Sequence, residues 1–366
     1  MRVWLVLALA LPLGGQEIYD LLLKNGHVID PVNHRDGRFD VAVTGSKIVR
    51  VGRDLLASHA RIVVDAGQYY VTPGLVDIDT DFNWVSSELG LKPEAETLES
   101  GVTTAVDAGG ASWKTFEQFK KLVIDHSRTR MLAFLNVGND TEVEAVAALA
   151  KKYPQVIVGI SAASAIDPAV KAAELSHTIV LADSDSDRLR QGDIRTHVYG
   201  RMTPKLDELL AARKRGVLFD VGHGSNGFWF RTAVPMIQQG FLPDSISSGI
   251  DRNSVMLSRA TMIDTMSKLL NAGLTLPQVI ERSTVNPARA LHRPDLGTLS
   301  EGAIADIAVI EQQTGRFGFL DSGHGKLIGD RKLFCVLTGR NGQVVWDTEG
   351  LSLPDASRAG PYTNFK

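Results

Sequence analysis

Hydrophobic and polar positions follow three regimes along the chain. From residue 17 to 72 apolar positions alternate in short runs: Tyr19 to Lys24, His27 to Asp30, Phe39 to Thr44, Lys47 to Val51, Arg61 to Asp65 and Tyr69 to Thr72. A period of two predicts strands. Asn25-Gly26 reads as a hairpin turn between two of them, and Gly45-Ser46 as another turn.

From 73 to 296 the pattern becomes strand, loop, helix, repeated. Strands are expected at Leu75–Ile78, Thr103–Asp107, Met131–Asn136, Val156–Ile160, Thr178–Leu181, Ile194–His197, Leu218–Val221 and Ser245–Ser248. Helices are expected between them and again over Met256–Leu270, Leu276–Arg282 and Asn286–Leu291. Such alternation predicts an α/β fold, a parallel (β/α)8 TIM-like barrel. From 297 to 353 short strands return at Ala305–Ile310, Leu333–Thr338 and Val344–Trp346. They cannot join a finished barrel, so the expectation is a small β-sandwich assembled from both chain ends, 17–72 and 297–353. Residues 354–366 read as a loosely packed tail.

Composition changes this picture at few points. With 366 residues, 44% of them hydrophobic, the chain can bury one large domain and a smaller one. A net charge of -3 gives no electrostatic case for nucleic acid. Arg2, the apolar run Val3 to Leu13 and the small residues Gly14-Gly15 read as a secretory signal peptide over 1–16, too short to span a bilayer. A secreted or periplasmic location follows as an expectation. Cys335 is the sole cysteine, so an intramolecular disulfide is excluded.

The candidate chemistry centres on Val71 to Asp81, V-T-P-G-L-V-D-I-D-T-D. Asp79 and Asp81, spaced i and i+2, should project together from the C-terminal end of a strand. In α/β barrels chemistry sits at that end. No nucleophile elbow G-x-S-x-G is present to support a serine triad.

This stretch resembles the barrel opening of the amidohydrolase superfamily, P-G-L-I-D followed by H-x-H. Further stretches resemble the deacetylase and dihydroorotase-like branch: Gly101 to Gly109, Thr129 to Gly138, G-D-I-R-T-H at Gly192 to His197, F-D-V-G-H-G at Phe219 to Gly224, and Gly240 to Ser248. The resemblance implies hydrolysis of amide C–N bonds by a binuclear metal centre. The H-x-H pair, a bridging carboxylated lysine, two further histidines and an aspartate that acts as base would hold it.

At those positions this chain has Asp79 and Asp81 for the first pair, Ser161 for the lysine, Asp183 for a histidine and Gly249 for the aspartate. Only His197 remains. His223 resembles a retained substrate contact, and Asp251 could be a displaced acid.

Two readings stay open. One is a non-catalytic or ligand-binding member without the zinc site. The other is an active amidohydrolase with a rebuilt, carboxylate-rich centre of Asp79, Asp81, Asp183 and His197. Such a centre would favour Mg, Ca or Mn over zinc. Asp183 to Asp187 begins like a calcium loop, but Arg188 stands where that loop needs glycine. A small-molecule amide or N-acyl compound is the expected partner, and homo-oligomerisation stays open.

Overall fold

The computed structural model describes residues 18–361 apart from 87, 141, 163, 164, 185 and 202. The leader expected over 1–16 lies outside the described residues.

Six strands precede or open the parallel sheet: β1 (Tyr19–Asp30), β2 (Arg35–Thr44), β3 (Lys47–Gly52), β4 (Ala60–Asp65), β5 (Tyr70–Pro73) and β6 (Leu75–Thr80). β7 (Val102–Ser112), β8 (Arg130–Asn136), β9 (Ile157–Ser161), β10 (Ile179–Ala182), β11 (Ile194–Arg195) and β12 (Leu218–Phe219) follow, separated by helices. The chain closes with β13 (Ile307–Leu320), β14 (Lys326–Arg340) and β15 (Gln343–Asp347).

β6 to β12 pair in sequence order as one curled, parallel sheet. The eighth strand expected at Ser245–Ser248 is instead an irregular segment. It bridges the two edges through isolated parallel pairs, Asp220 with Ser245 and Thr80 with Ile250. Its backbone still reaches both edges, Val221 N donating to Ser245 O and Gly249 N to Asp79 O, but the ladder is interrupted at Ser248 and Gly249. Ser248 N donates to the Asp77 carboxylate, and Gly249 takes a left-handed φ of 56°.

One apolar cluster joins strand residues such as Val106, Phe134 and Ile194 to Ala288, Leu291 and Leu296. A larger one ties the strands to helices Phe116–Leu122, Val143–Lys152 and Ile166–Ser176. The expected helix over Met256–Leu270 is two helices, Arg252–Leu257 and Met262–Ala272, the second started by the Thr261 hydroxyl.

Strands from the two chain ends do pair. They form a single mixed sheet in the order β15-β14-β13-β5-β1-β2-β3, with β4 also on β1. The join is β13 against β5, Val309 facing Val71. The free edge β3 is tied back beside β13, where Ile48 N donates to Ala303 O at 3.0 Å. Leu23, Val41, Ile48, Val71, Ile307 and Val336 pack into its core.

Two further expectations need correction. Asn25-Gly26 is no hairpin turn. β1 runs straight through it as a bulge, with Asn25 at φ 63° and the partner register slipping between Leu23 and Gly26. A Cβ at Gly26 would meet the Val71 side chain at 2.5 Å, so glycine there serves close packing. The C-terminal strands are also far longer than their apolar cores. β13 and β14 form one hairpin whose outer half is largely solvent-facing.

Candidate functional site

The C-terminal ends of the parallel strands open on a cleft of about 260 Å³. Asp79 near the end of β6, Asp81 directly after it, His197 beyond β11 and Asp251 face it together with Gly109, Gly224 and Gly249. The alternation read from the sequence thus places Asp79 and Asp81 as expected.

Asp79 is held from two sides. The Thr196 hydroxyl lies 2.7 Å from Oδ2, and His197 Nε2 lies 3.4 Å from the same oxygen. The Thr196 hydroxyl also lies 2.9 Å from Asp220 Oδ2. One hydroxyl has one proton, so one of the two carboxyls must supply the other. Asp220 is the one whose environment favours the protonated form at mildly acid pH. Burial pushes it up to about 6, and the neighbouring Asp79 charge adds to the effect. The Ser245 hydroxyl, 2.6 Å from Oδ1, and the Ser247 hydroxyl complete its shell.

Two more buried carboxyls lie under the mouth. Asp77 accepts from Ser248 N at 2.9 Å and from Ser248 Oγ at 2.5 Å. Asp107 accepts from the backbone N of Phe82 and Asn83, both at 3.0 Å, and of Gly110 at 2.7 Å. Burial pushes both up to about 7. Asp77, Asp107, Asp220 and Thr196 were not singled out from the sequence. The available signal was an aspartate inside an apolar strand, as in T-A-V-D-A-G and L-F-D-V-G.

The other candidates fall in different places. Asp183 stands exposed on the bend after β10 and is no wall of the cleft, so the four proposed ligands Asp79, Asp81, Asp183 and His197 are not gathered into one set. Among the described residues no three His, Cys, Asp or Glu side chains stand together in a cation-holding group. Of the Asp183 to Asp187 loop, Asp185 lies outside the described residues.

Ser161 ends β9 behind Gly109, where an added Cβ would approach its Oγ to 2.8 Å. Gly249 has no room for a side chain on this backbone. Its Cβ would stand 2.4 Å from Gly224 N, at a φ that favours glycine. Asp251 caps helix Arg252–Leu257, accepting from Ser254 N at 2.7 Å and Ser225 Oγ at 3.0 Å. It therefore faces the cleft with both oxygens already bonded.

His223 is fully buried behind the wall and does not line the cleft. Its Nδ1 lies 2.9 Å from Gly224 O, which fixes the proton there. Its Nε2 accepts from Lys268 Nζ at 2.9 Å. Burial, then the Lys268 charge, holds it well below the usual imidazole range.

Comparisons agree with this architecture. The profile of the amidohydrolase family matches residues 230–339. A deacetylase of Brucella anthropi is 26% identical over 345 residues, spanning 82% of this chain and 86% of its own. A dihydroorotase of Lactococcus lactis is 40% identical over 90 residues, 25% of this chain and 20% of its own. Among solved structures, a dihydroorotase superposes with a TM-score of 0.81 at 24% identity, covering 89% of this chain and 99% of its own. An adenine deaminase gives 0.82 at 22%, covering 90% and 100%.

Proposed function

We propose that this chain, which belongs to the amidohydrolase superfamily, binds a small amide or N-acyl compound in the cleft without hydrolysing it through a binuclear metal centre. The observation that carries this is Gly249. The position where the family resemblance implies a catalytic aspartate is left-handed backbone packed against Gly224, with no space for a carboxylate. Ser161 offers a hydroxyl where a bridging lysine carboxylate would stand, and a hydroxyl cannot be carboxylated. The donors present therefore do not fit a binuclear zinc centre. What remains is a polar cleft whose walls are carboxylates, one imidazole and backbone. This suits a ligand that offers N–H donors.

One observation favours a second reading, an active enzyme with a carboxylate-rich centre. Asp79, Asp81 and His197 do face one cleft. Elemental analysis after dialysis, beside assays on N-acetylated amino acids and cyclic amides, separates the two. The first reading expects metal well below one equivalent, no turnover, and calorimetric binding of an uncleaved amide. Stoichiometric metal together with hydrolysis that Asp79→Asn/Asp81→Asn abolishes would establish the second. Location belongs to the same proposal: residues 1–16 act as a cleaved leader, and N-terminal sequencing of exported protein checks it.

A further inference from the structure

Half of the wall of the cleft from Gly222 to Gly227 is glycine, and its one large side chain, His223, turns away from the cleft into the interior. Glycine occupies 222, 224 and 227, and the first two have left-handed φ. Such a segment has high backbone freedom to lose. On one side Gly222 N donates to Ser247 Oγ and Gly224 N to Ser248 O; on the side away from the cleft two further features hold it.

The first is a buried cation. Lys268, on helix Met262–Ala272, is 0% exposed. Its Nζ donates to His223 Nε2 at 2.9 Å and to the carbonyls of Ser258 at 2.8 Å and Arg259 at 3.3 Å, with Asp264 Oδ2 at 3.2 Å. The imidazole passes this on, donating from Nδ1 to Gly224 O. The second is the tip of the β13–β14 hairpin. Ser322 Oγ donates to Phe228 O at 2.7 Å and accepts from Phe228 N at 2.9 Å. Phe228 stacks on the His223 ring, centroids 4.9 Å apart and planes 21° apart.

We infer that Lys268 is a positioning residue for the cleft: through the neutral imidazole of His223 it fixes the Gly224 carbonyl and with it the glycine wall that ligands meet. The arrangement is costly if it serves only stability. Burial, with a smaller push from the Arg259 charge, brings the Lys268 ammonium down to about 8 despite Asp264 beside it and Asp321 nearby. An apolar side chain of similar length would fill the same space without that penalty. The cation supplies a fixed donor aimed at Nε2, which leaves the only ring proton on Nδ1. This inference is independent of what the cleft binds.

The test is nitrogen NMR of histidine combined with amide exchange, on the full chain. Wild type is expected to show His223 as a neutral Nδ1-protonated ring that does not titrate in the usual imidazole range. Two variants separate positioning from bulk. His223→Phe keeps the ring stacked on Phe228 and removes both bonds. His223→Gln keeps an acceptor for Lys268 and a donor for Gly224 O. Exchange at Gly224 to Gly227 should rise at least about tenfold in the Phe variant and stay near wild type in the Gln variant. Lys268→Met, if it folds, should release the ring proton to both nitrogens. An Nε2-protonated or charged His223 in wild type overturns the inference. So does equal wall exchange in the Phe and Gln variants.

Discussion

Gly249 shows how a single backbone angle can decide what a site holds. At φ 56°, with a Cβ position 2.4 Å from Gly224 N, it rejects any side chain. Gly249→Asp is therefore expected to destabilise the fold by about 3 kcal/mol, from the left-handed backbone and the clash together. Denaturant unfolding beside the wild type measures this. A stable Gly249→Asp protein with gained zinc affinity would mean that the segment can rebuild itself.

Part of this was legible in the sequence. The spacing of Asp79 and Asp81 placed both at the mouth. The substitutions at Ser161 and Gly249 could be read from the frame around them, but the closing of the glycine backbone over the space could not. Nor could the exposed position of Asp183. A strand's last residue and the first of the following loop are indistinguishable by alternation, and one position decides which way a side chain turns.

At the scale of elements, the β13–β14 hairpin was the least legible part. Its inner halves carry the alternating apolar residues Ile307–Ile310 and Leu333–Leu337. The outer halves, such as Gln313 to Arg316, are exposed and read as loop. Their order comes from long antiparallel pairing and from the docked tip, neither of which is a local signal. The Asn25-Gly26 bulge misled for a related reason: an αL residue followed by glycine suits a hairpin turn and a bulge equally. Ser322→Ala should test the docked tip. It removes both side-chain bonds to Phe228, leaving the one from Ser322 N to Phe228 O, and is expected to cost about 1–2 kcal/mol. Exchange should quicken at Phe228 and leave the β6–β9 amides unchanged. A uniform loss across the sheet would show that the tip contributes only to global stability.

At the scale of the molecule, the parallel barrel frame was legible because period-two and helical stretches alternate over more than half the chain. Its buried acids give a prediction about overall stability. Asp220 is raised to about 6, and Asp77 and Asp107 to about 7, each chiefly by burial. In the unfolded chain all three release their protons near the usual carboxylate value. Between about pH 4 and 7 the native state therefore holds more protons, and their contribution falls as pH rises. Lys268 acts in the opposite direction at higher pH. Its native value of about 8 lies below its unfolded one, so stability recovers between there and about 10. Melting temperature should thus decline from pH 5 to 7.5. Asp220→Asn, an isostere of the protonated form, should remove about 1–1.5 kcal/mol of that decline. An unchanged slope in the variant would place the proton elsewhere.

The pairing of β5 with β13 also has a consequence for synthesis. The first five strands leave the ribosome long before β13, and β1 and β5 then present an unfinished edge while the barrel is being made. Unpaired edges invite association with other chains. The nascent protein therefore passes through a vulnerable interval that ends only when the closing strands emerge, and slowing translation before residue 307 should lengthen it.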